Sequence, residues 1–173
     1  MKVLRRYIAI VDRINHAIGR FAMYGIFALM AVLLWSSISK VFFTPSMWTL
    51  EMAQFLMVGY YILGGPYSIQ MGSNVRMDLL YGEWSTRRKA AVDSITVLFL
   101  IFYLGVLLWG GIDSTIYSFS YGGERSPTAW RPYLWPIKVV MCFGISLMLL
   151  QAVSELFKDI LRLRGEEVPS LVV

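Results

Sequence analysis

The fold is decided by residues 48–84, which read WTLEMAQFLMVGYYILGGPYSIQMGSNVRMDLLYGEW. Within this stretch, Met52 to Val75 is a run of 24 residues without a charge. A helix needs about 20 apolar residues to cross a hydrocarbon core of about 30 Å. Trp48 and Glu51 precede the run and Arg76 follows it, and aromatic and charged residues of this kind mark the two faces of a bilayer. The stretch therefore predicts a membrane-spanning helix.

The centre of this predicted span carries the triplet Gly64-Gly65-Pro66. Proline lacks the amide hydrogen that an intact helix needs, so the helix should bend about one turn before Pro66. The bend leaves a carbonyl group near Ile62 without its helical partner, and lipid offers no donor to replace it. We therefore expect the triplet to lie against a neighbouring helix, with the Ser68 hydroxyl or a water as a further donor.

The whole chain has the composition of a small all-α integral membrane protein. Its 173 residues are 57% hydrophobic and 15% aromatic, with a mean hydropathy of +0.60, which is too apolar for an ordinary soluble domain. No repeat or linker divides it, so residues 1–173 are predicted to form one domain. The net charge of +5 comes from Lys and Arg beside the apolar runs. This placement is typical of membrane orientation signals and does not indicate nucleic-acid binding.

Four transmembrane helices and two amphipathic segments are predicted along the chain. The spans cover about residues 19–41, 49–75, 91–113 and 133–155. Residues 2–18 place apolar side chains at three- and four-residue spacing between basic ones. This pattern predicts an interfacial helix that lies flat on the cytoplasmic leaflet, and the alternative is a frayed basic tail. Residues 156–165 show a similar alternation, which predicts an amphipathic extension of the last helix.

Lys and Arg are distributed unevenly between the two sides of the predicted spans. The N-terminal segment has five of them, the loop between the second and third spans has four, and the C-terminal extension has three. The other two loops have one and two. Because Lys and Arg are retained on the cytoplasmic side, both termini are predicted to lie in the cytoplasm.

Enzymatic chemistry is not expected, because the residue types that would carry it are scarce. The chain has one histidine and one cysteine. These are too few for a bis-histidine haem, a Cys/His zinc cluster or a histidine-supported catalytic triad. We predict no catalytic, cofactor-binding or metal-binding residue.

Three charged residues border the spans near their outer ends: Glu51, Asp113 and Lys138. Ionisable groups at such positions usually pair with one another or face the interior of a helix bundle. They therefore predict either a structural ion-pair layer or part of an ion or substrate path. The lack of charge near the middle of any predicted span favours the ion-pair layer.

Several of these features, taken in chain order, resemble a known family. They are Trp48, Glu51, an apolar span with Gly64 and Gly65, and the run GSNVRMDLL at residues 72–80. This order is similar to the signature of the small membrane subunit (Q component) of tripartite ATP-independent periplasmic (TRAP) transporters. The likeness extends over most of the chain. Asn74 stands where the family commonly has histidine, and Pro66 where it commonly has a small or apolar residue.

The resemblance implies a subunit without its own substrate site. In that family a large membrane subunit carries substrate and sodium ions, a soluble periplasmic protein delivers the substrate, and the small subunit braces the static part. The substrate would be a small organic anion, and the location the bacterial cytoplasmic (inner) membrane. The expected partners are the two other components and phospholipids, with sodium bound in the large subunit. Two alternatives remain: the membrane anchor of a redox complex, and a channel or carrier that works alone.

The turn that contains Arg76 and Asp78 is a candidate structural site at the cytoplasmic end of the second span. Arg76 could meet the last carbonyl groups of that helix, and Asp78 could accept from the amides of the next turn. The alternative is an ordinary interfacial charge pair.

The loop at residues 114–132 is a candidate docking site for the periplasmic binding protein. It contains Arg125, Trp130 and Arg131, which are residue types enriched where proteins meet. The alternative is that these side chains only anchor the chain at the membrane surface, as aromatic belts do.

Overall fold

Five α-helices make up the computed structural model, which describes residues 2–72, 86–121 and 123–163. They are α1 (Lys2–Met23), α2 (Gly25–Phe42), α3 (Thr49–Gln70), α4 (Thr86–Ser120) and α5 (Trp135–Leu163). Within these ranges no strand is formed, and the isolated bridge between Arg125 and Tyr133 is the sole β-type pairing. The predicted all-α fold is confirmed.

Three helical segments are long and apolar enough to cross a membrane: Leu4–Phe42, Val92–Ser120 and Trp135–Leu163. They make the chain a multi-pass membrane protein. α3 has 22 residues, a length of about 33 Å at the rise of an α-helix. It is not among the three segments, because its three tyrosines and two glutamines lower its apolarity. That α3 is a further span stays a prediction.

The helices form an open row rather than a closed bundle. In space their order is α2, α3, α5, α4, and each packs mainly on its neighbours in the row. α4 packs on α5 around the buried side chains of Leu104, Ile145 and Ala152. Among the described residues, α4 has no comparable contact with α2 or α3. α2 and α4, at the two edges of the row, therefore expose many large apolar side chains, such as Phe27, Phe102 and Trp109.

Close contacts at glycines and hydroxyls give the relative directions of the helices. α3 and α5 run in the same direction, as shown by the pairs Gly59 with Val140, Ile62 with Gly144, and Gly65 with Met148. α2 runs antiparallel to α3, as shown by the pairs Gly25 with Tyr60 and Ser36 with Thr49. The small residues allow the backbones to approach closely, as is common between membrane helices.

The row therefore has two ends of different character. We call the end that carries residues 43–48 and 123–134 the loop end. The opposite end, where Asp12, Gln70 and Lys158 meet, is the clasp end. The first turns of α1 and the last turns of α5 both lie at the clasp end, as expected for two termini on one side of a membrane. That this side is the cytoplasm stays a prediction.

The N-terminal helix differs from its prediction in length and in surroundings. α1 continues to Met23 instead of ending at residue 18, and a single residue, Tyr24, separates it from α2. Its buried side holds both apolar and charged residues, since Ile8 is fully buried and Asp12 is 3% exposed. The apolar Ile14, by contrast, is 46% exposed. The reason is that α1 packs across α3 and α5. Neighbouring helices, and not a flat bilayer surface, decide which side of α1 is buried.

The last two helices also differ from the predicted bounds. α4 has 35 residues and ends at Ser120, beyond the predicted limit at residue 113, because residues 114–120 contain neither glycine nor proline to stop it. α5 begins at Trp135 and continues without a break to Leu163. The described part of the predicted amphipathic extension is therefore helical.

Candidate functional site

A cluster of buried polar side chains joins α1 to α5 at the clasp end. We call it the polar clasp, and its members are Asp12, Asn15, Gln151, Ser154, Glu155 and Lys158. Lys158 Nζ lies 2.8 Å from Asp12 Oδ2 and 2.7 Å from Glu155 Oε1. The side chains of Lys158 and Asp12 are only 8% and 4% exposed. Such burial of charge is tolerated when opposite charges and hydrogen bonds surround it.

Gln151 is the centre of the clasp, and its partners fix the orientation of its amide group. Nε2 donates to Asp12 Oδ1 and to Glu155 Oε1, at 3.0 Å each, and ionised carboxylates can only accept. Oε1 therefore points the other way, where it accepts from Asn15 Nδ2 at 2.7 Å. The orientation of Asn15 follows in turn. Asn15 Oδ1 is left buried, with no hydrogen-bond partner among the described residues.

The end of α3 and the first turns of α1 extend this junction. Gln70 Nε2 donates to the backbone carbonyl oxygen of Asp12 at 3.2 Å. The Tyr7 hydroxyl donates to the backbone carbonyl oxygen of Leu150 at 3.3 Å, and its ring meets the edge of Phe157 with centroids 5.6 Å apart. α1 is thus tied to both α3 and α5 by polar and aromatic contacts.

The polar clasp is absent from the sequence-based predictions, which placed Gln151, Ser154 and Glu155 within the fourth span and Lys158 in the amphipathic extension after it. One signal was present in the sequence. Gln151, Ser154, Glu155 and Lys158 follow one another at helical positions i, i+3, i+4 and i+7. This spacing puts all four on one side of a helix. A polar stripe that continues a span calls for a polar partner, which α1 supplies.

The triplet Gly64-Gly65-Pro66 of α3 lies beside α5. α3 stays helical through Pro66, which is fully buried. The carbonyl oxygen of Ile62 lies 3.1 Å from the place where a Cβ on Gly144 would stand, so it faces α5. A Cβ on Gly65 would overlap a methionine side chain of α5, whereas one on Gly64 would have nothing within 4 Å. Gly65 is a point of contact between the helices, and Gly64 is not.

At the loop end, the predicted ion-pair layer is replaced by a different pairing. Lys138 pairs with Glu124 and also donates to the backbone carbonyl oxygen of Ser114 at 3.3 Å. Asp113 is exposed on α4. Glu51 is only 4% exposed, and its Oε2 has no hydrogen-bond partner among the described residues. Because α4 continues past Asp113, the returning loop brings Glu124 to Lys138.

A chain of hydroxyl groups closes the connection between α2 and α3 at the same end. Ser39 and Ser46 are joined at 3.1 Å, Ser46 and Thr49 at 3.1 Å, and Thr49 donates to Ser36 at 3.1 Å. Ser36, Ser39 and Thr49 are all buried. These bonds tie the last turns of α2 to the start of α3.

Residues 124–134 form a hydrogen-bonded turn that we call the loop hairpin. Its backbone bonds run from Ser126 N to the Pro132 carbonyl oxygen and from Leu134 N to the Glu124 carbonyl oxygen, at 3.0 Å each. The Arg125 guanidinium donates to the Tyr133 hydroxyl and stands 4.4 Å above the centroid of its ring. This stacking is a cation–π contact that fixes one of the two arginines of the hairpin.

Glu124 anchors the loop hairpin to two helices. Its Oε2 accepts from Lys138 Nζ on α5 and, at 2.8 Å, from Ser118 Oγ on α4. The hydrogen bonds from Lys138 and then Ser118 hold the pKa of the Glu124 carboxyl below its ordinary value of 4.5, because both favour the ionised form. Beyond this anchor the hairpin presents Trp130, which is 40% exposed, and Arg131, which is also exposed.

Arg76 and Asp78 lie outside the described residues, so their capping role stays a prediction. In the part of the chain that the structure describes, no group of three His, Cys, Asp or Glu side chains could hold a metal ion. The polar clasp and the loop hairpin both join helices through charged hydrogen bonds. Their chemistry is that of fixed contacts between helices.

A family model matches most of the chain. It is described as "Tripartite ATP-independent periplasmic transporters, DctQ component" and covers residues 29–162. The chain belongs to the DctQ family. The resemblance to TRAP transporters is thereby confirmed, and DctQ is a family of transporter components, not of enzymes. A comparison with curated proteins found no match for this chain.

The DctQ match covers the two sides of the polar clasp differently. It begins at residue 29, so α1 with Asp12 and Asn15 lies before it, whereas all of the clasp residues on α5 lie inside it. The loop hairpin also lies inside the match.

Proposed function

We propose that this DctQ chain braces the large membrane subunit of a TRAP transporter during sodium-coupled uptake of a small organic anion. The observation that carries the proposal is the open row of helices. α2 and α4 stand at its edges and expose large apolar side chains over most of their length. Membrane helices that pack on one neighbour leave a broad surface on which a second membrane protein can assemble.

The internal contacts of the row support a bracing role. The polar clasp fixes α1 on α5 through buried charged hydrogen bonds, and the glycine contacts bring α3 close to α5. Such contacts rigidify a structure, because separating them leaves buried polar groups without partners. A brace needs this stiffness, whereas a carrier that works alone needs helices that can move apart.

The membrane arrangement is part of the proposal. α3 lies between α2 and α5 and runs the length of the row, so we propose it as the second of four spans. With the Lys and Arg bias of the sequence, the clasp end would face the cytoplasm and the loop end the periplasm of a bacterial inner membrane. Substrate and sodium would bind in the large subunit. A periplasmic binding protein would deliver the substrate at the loop end.

Reconstitution in liposomes tests the proposed function. We expect the purified chain alone to give the flux of empty liposomes. With the large subunit and the binding protein present, uptake should require a sodium gradient, and omitting this chain should abolish it. Uptake by the chain alone would support a stand-alone channel or carrier. Full uptake by the large subunit without this chain would contradict the bracing role.

The redox-anchor alternative has a test of its own. A haem-bearing anchor would show visible absorption bands after purification from cells that make haem. We expect the purified chain to have none. Haem absorption that remains through purification would contradict a transporter role.

A further inference from the structure

An apolar groove of about 530 Å³ opens along one face of the row. α3 forms its floor, with Met52, Gly59 and Leu63, while Ala28 of α2 and Val140 of α5 lie on its two walls. Its lining side chains are apolar apart from the hydroxyl groups of two tyrosines. A groove of this composition offers water few hydrogen bonds, so an apolar ligand should fill it.

The length of the groove along α3 is about the thickness of one leaflet of a bilayer. Its floor runs from Met52 to Leu63, which is about 16 Å along an α-helix. A hydrocarbon core is about 30 Å thick, so one leaflet takes up about half of it. The groove starts near the loop end, beside Pro136, and stops at the junction of α1 and α2 around Tyr24.

The same face of the row is closed in its other half by α1. There α1 lies across both α3 and α5, through the bonds of Asp12 with Gln70 and of Asn15 with Gln151. A partner helix that crosses the whole membrane cannot follow the groove, because it would meet α1 halfway. A flexible chain that enters from the loop-end leaflet and ends near the middle of the membrane meets no such obstacle.

The mouth of the groove is suited to a lipid headgroup. Trp48 directly precedes α3 and Trp135 is the first residue of α5, and the two side chains are 37% and 40% exposed. Tryptophans at such depth lie among headgroups in membrane proteins. The occupant should therefore carry a polar group at this end and an unbranched apolar tail below it.

From this geometry we infer that the groove binds one acyl chain of a phospholipid from the loop-end leaflet. The inference rests on the proposal that α3 spans the membrane between α2 and α5. The bound chain fills the space between α2 and α5, which do not pack on each other, and so adds a contact between these two helices. The lipid is then a ligand at a defined site and not only the surrounding solvent.

Photolabelling in vesicles tests the site. The probe is phosphatidylethanolamine with a diazirine in the middle of one acyl chain, and the protein is the full chain without partner subunits. We expect labels to concentrate on Met52–Leu63, and Gly59→Leu to lower them several-fold, because its side chain would project into the groove beside Val140. The control is Gly110→Leu on α4, where an added Cβ has nothing within 4 Å. It should leave the labelling of α3 unchanged.

A second variant keeps the test decisive if Gly59→Leu does not fold. Ala28→Leu narrows the groove from the α2 wall and should lower the same labels without touching the contact of α3 with α5. Labels spread over α2 and α4 in proportion to their exposure, and unchanged by both variants, would overturn the inference. So would loss of the α3 labels on assembly with the large subunit, which would show a protein in the groove. Because the first measurement needs no partner, it is independent of the transport assay.

Discussion

Lys158 is the residue whose environment differs most from what its sequence context indicates. It stands in a run of alternating apolar and charged residues, where a lysine is ordinarily solvated, yet it is buried between Asp12 and Glu155. The polar stripe of α5 calls for a polar partner, but it does not show which helix supplies that partner. The partner is Asp12, more than a hundred residues away, and its own helix also reads as amphipathic.

Removal of the buried charge should strongly destabilise the protein. Lys158→Ala leaves Asp12 in a buried site without its cation, and the loss of one partner of a buried pair costs about 3–5 kcal/mol. The control is Arg13→Ala, which removes a cation from an exposed position on α1. It should change the free energy of unfolding by no more than about 0.5 kcal/mol. Thermal unfolding in detergent measures both, and equal losses would contradict the polar clasp.

Two glycines of α3 and α5 should respond in opposite ways to the same substitution. Gly144→Ala places a methyl group against the side chain and the backbone carbonyl group of Ile62 on α3, and such overpacking costs about 1–3 kcal/mol. Gly64→Ala meets nothing within 4 Å and gains up to about 1 kcal/mol of helix propensity. Unfolding temperatures should therefore fall for Gly144→Ala and stay level or rise for Gly64→Ala. An equal fall in both would contradict the close approach of α3 and α5 at Gly144.

At the scale of elements, the loop hairpin is a fixed surface because Glu124 ties it to α4 and α5. If this surface docks the binding protein, Arg125→Gln with Arg131→Gln should slow binding-protein-dependent uptake several-fold and make its salt dependence shallower. Charges at the rim of an interface act mainly on the rate of encounter. The two membrane subunits should stay associated.

Two exposed arginines at the clasp end provide the control for docking. Arg6→Gln with Arg13→Gln removes the same charge from exposed positions of α1 and should leave binding-protein-dependent uptake unchanged. If both double variants slow uptake to the same extent, the cause is the loss of net positive charge and not the loss of arginines from the loop hairpin. The loop residues would then serve only as a membrane anchor.

The anchor of the hairpin should depend on pH. The pKa of Glu124 lies below 4.5 in the folded chain. Its ion pair therefore contributes fully to the stability of the folded chain above about pH 4.5, and this contribution is lost as the pH falls through the folded-state pKa. Lys138→Met should raise this pKa towards 4.5, because it removes the hydrogen bond from Lys138, which lowers the pKa more than the hydrogen bond from Ser118 does. Arg131→Met should not change it. Carboxyl NMR titration of the full chain in detergent measures the pKa, and an unshifted Glu124 would contradict the anchor.

The helices themselves were predictable, because long uncharged runs have few other structures available in a membrane. The residues at which the helices end were harder to predict. α4 passes Asp113 and continues to Ser120, since a charge or a polar run does not stop a helix as glycine or proline does. α1 continues to Met23 alongside α3, where Gly19 lies against Tyr67. In both cases the end of the helix depends on contacts with other parts of the chain, which the local sequence does not indicate.

At the scale of the whole molecule, the arrangement of helices in an open row was not predictable. The long apolar runs of α2 and α4 have no distinct polar face, and such a run carries no signal about which side meets a neighbour. The family resemblance supplied the class of protein, and the match over residues 29–162 confirms it. The buried side of α1 and the groove beside it are visible only once the helices are placed together.

The order of the row has a consequence for biosynthesis. α5 is made after α4, yet in space it lies between α3 and α4. In a nascent chain that ends at Ser120, α2 and α3 are both present to pair, whereas α4 lacks the neighbour on which it packs. Synthesis of α5 supplies that neighbour and brings Lys158 to Asp12 on a helix made much earlier. The association of α4 with the rest of the row therefore depends on α5.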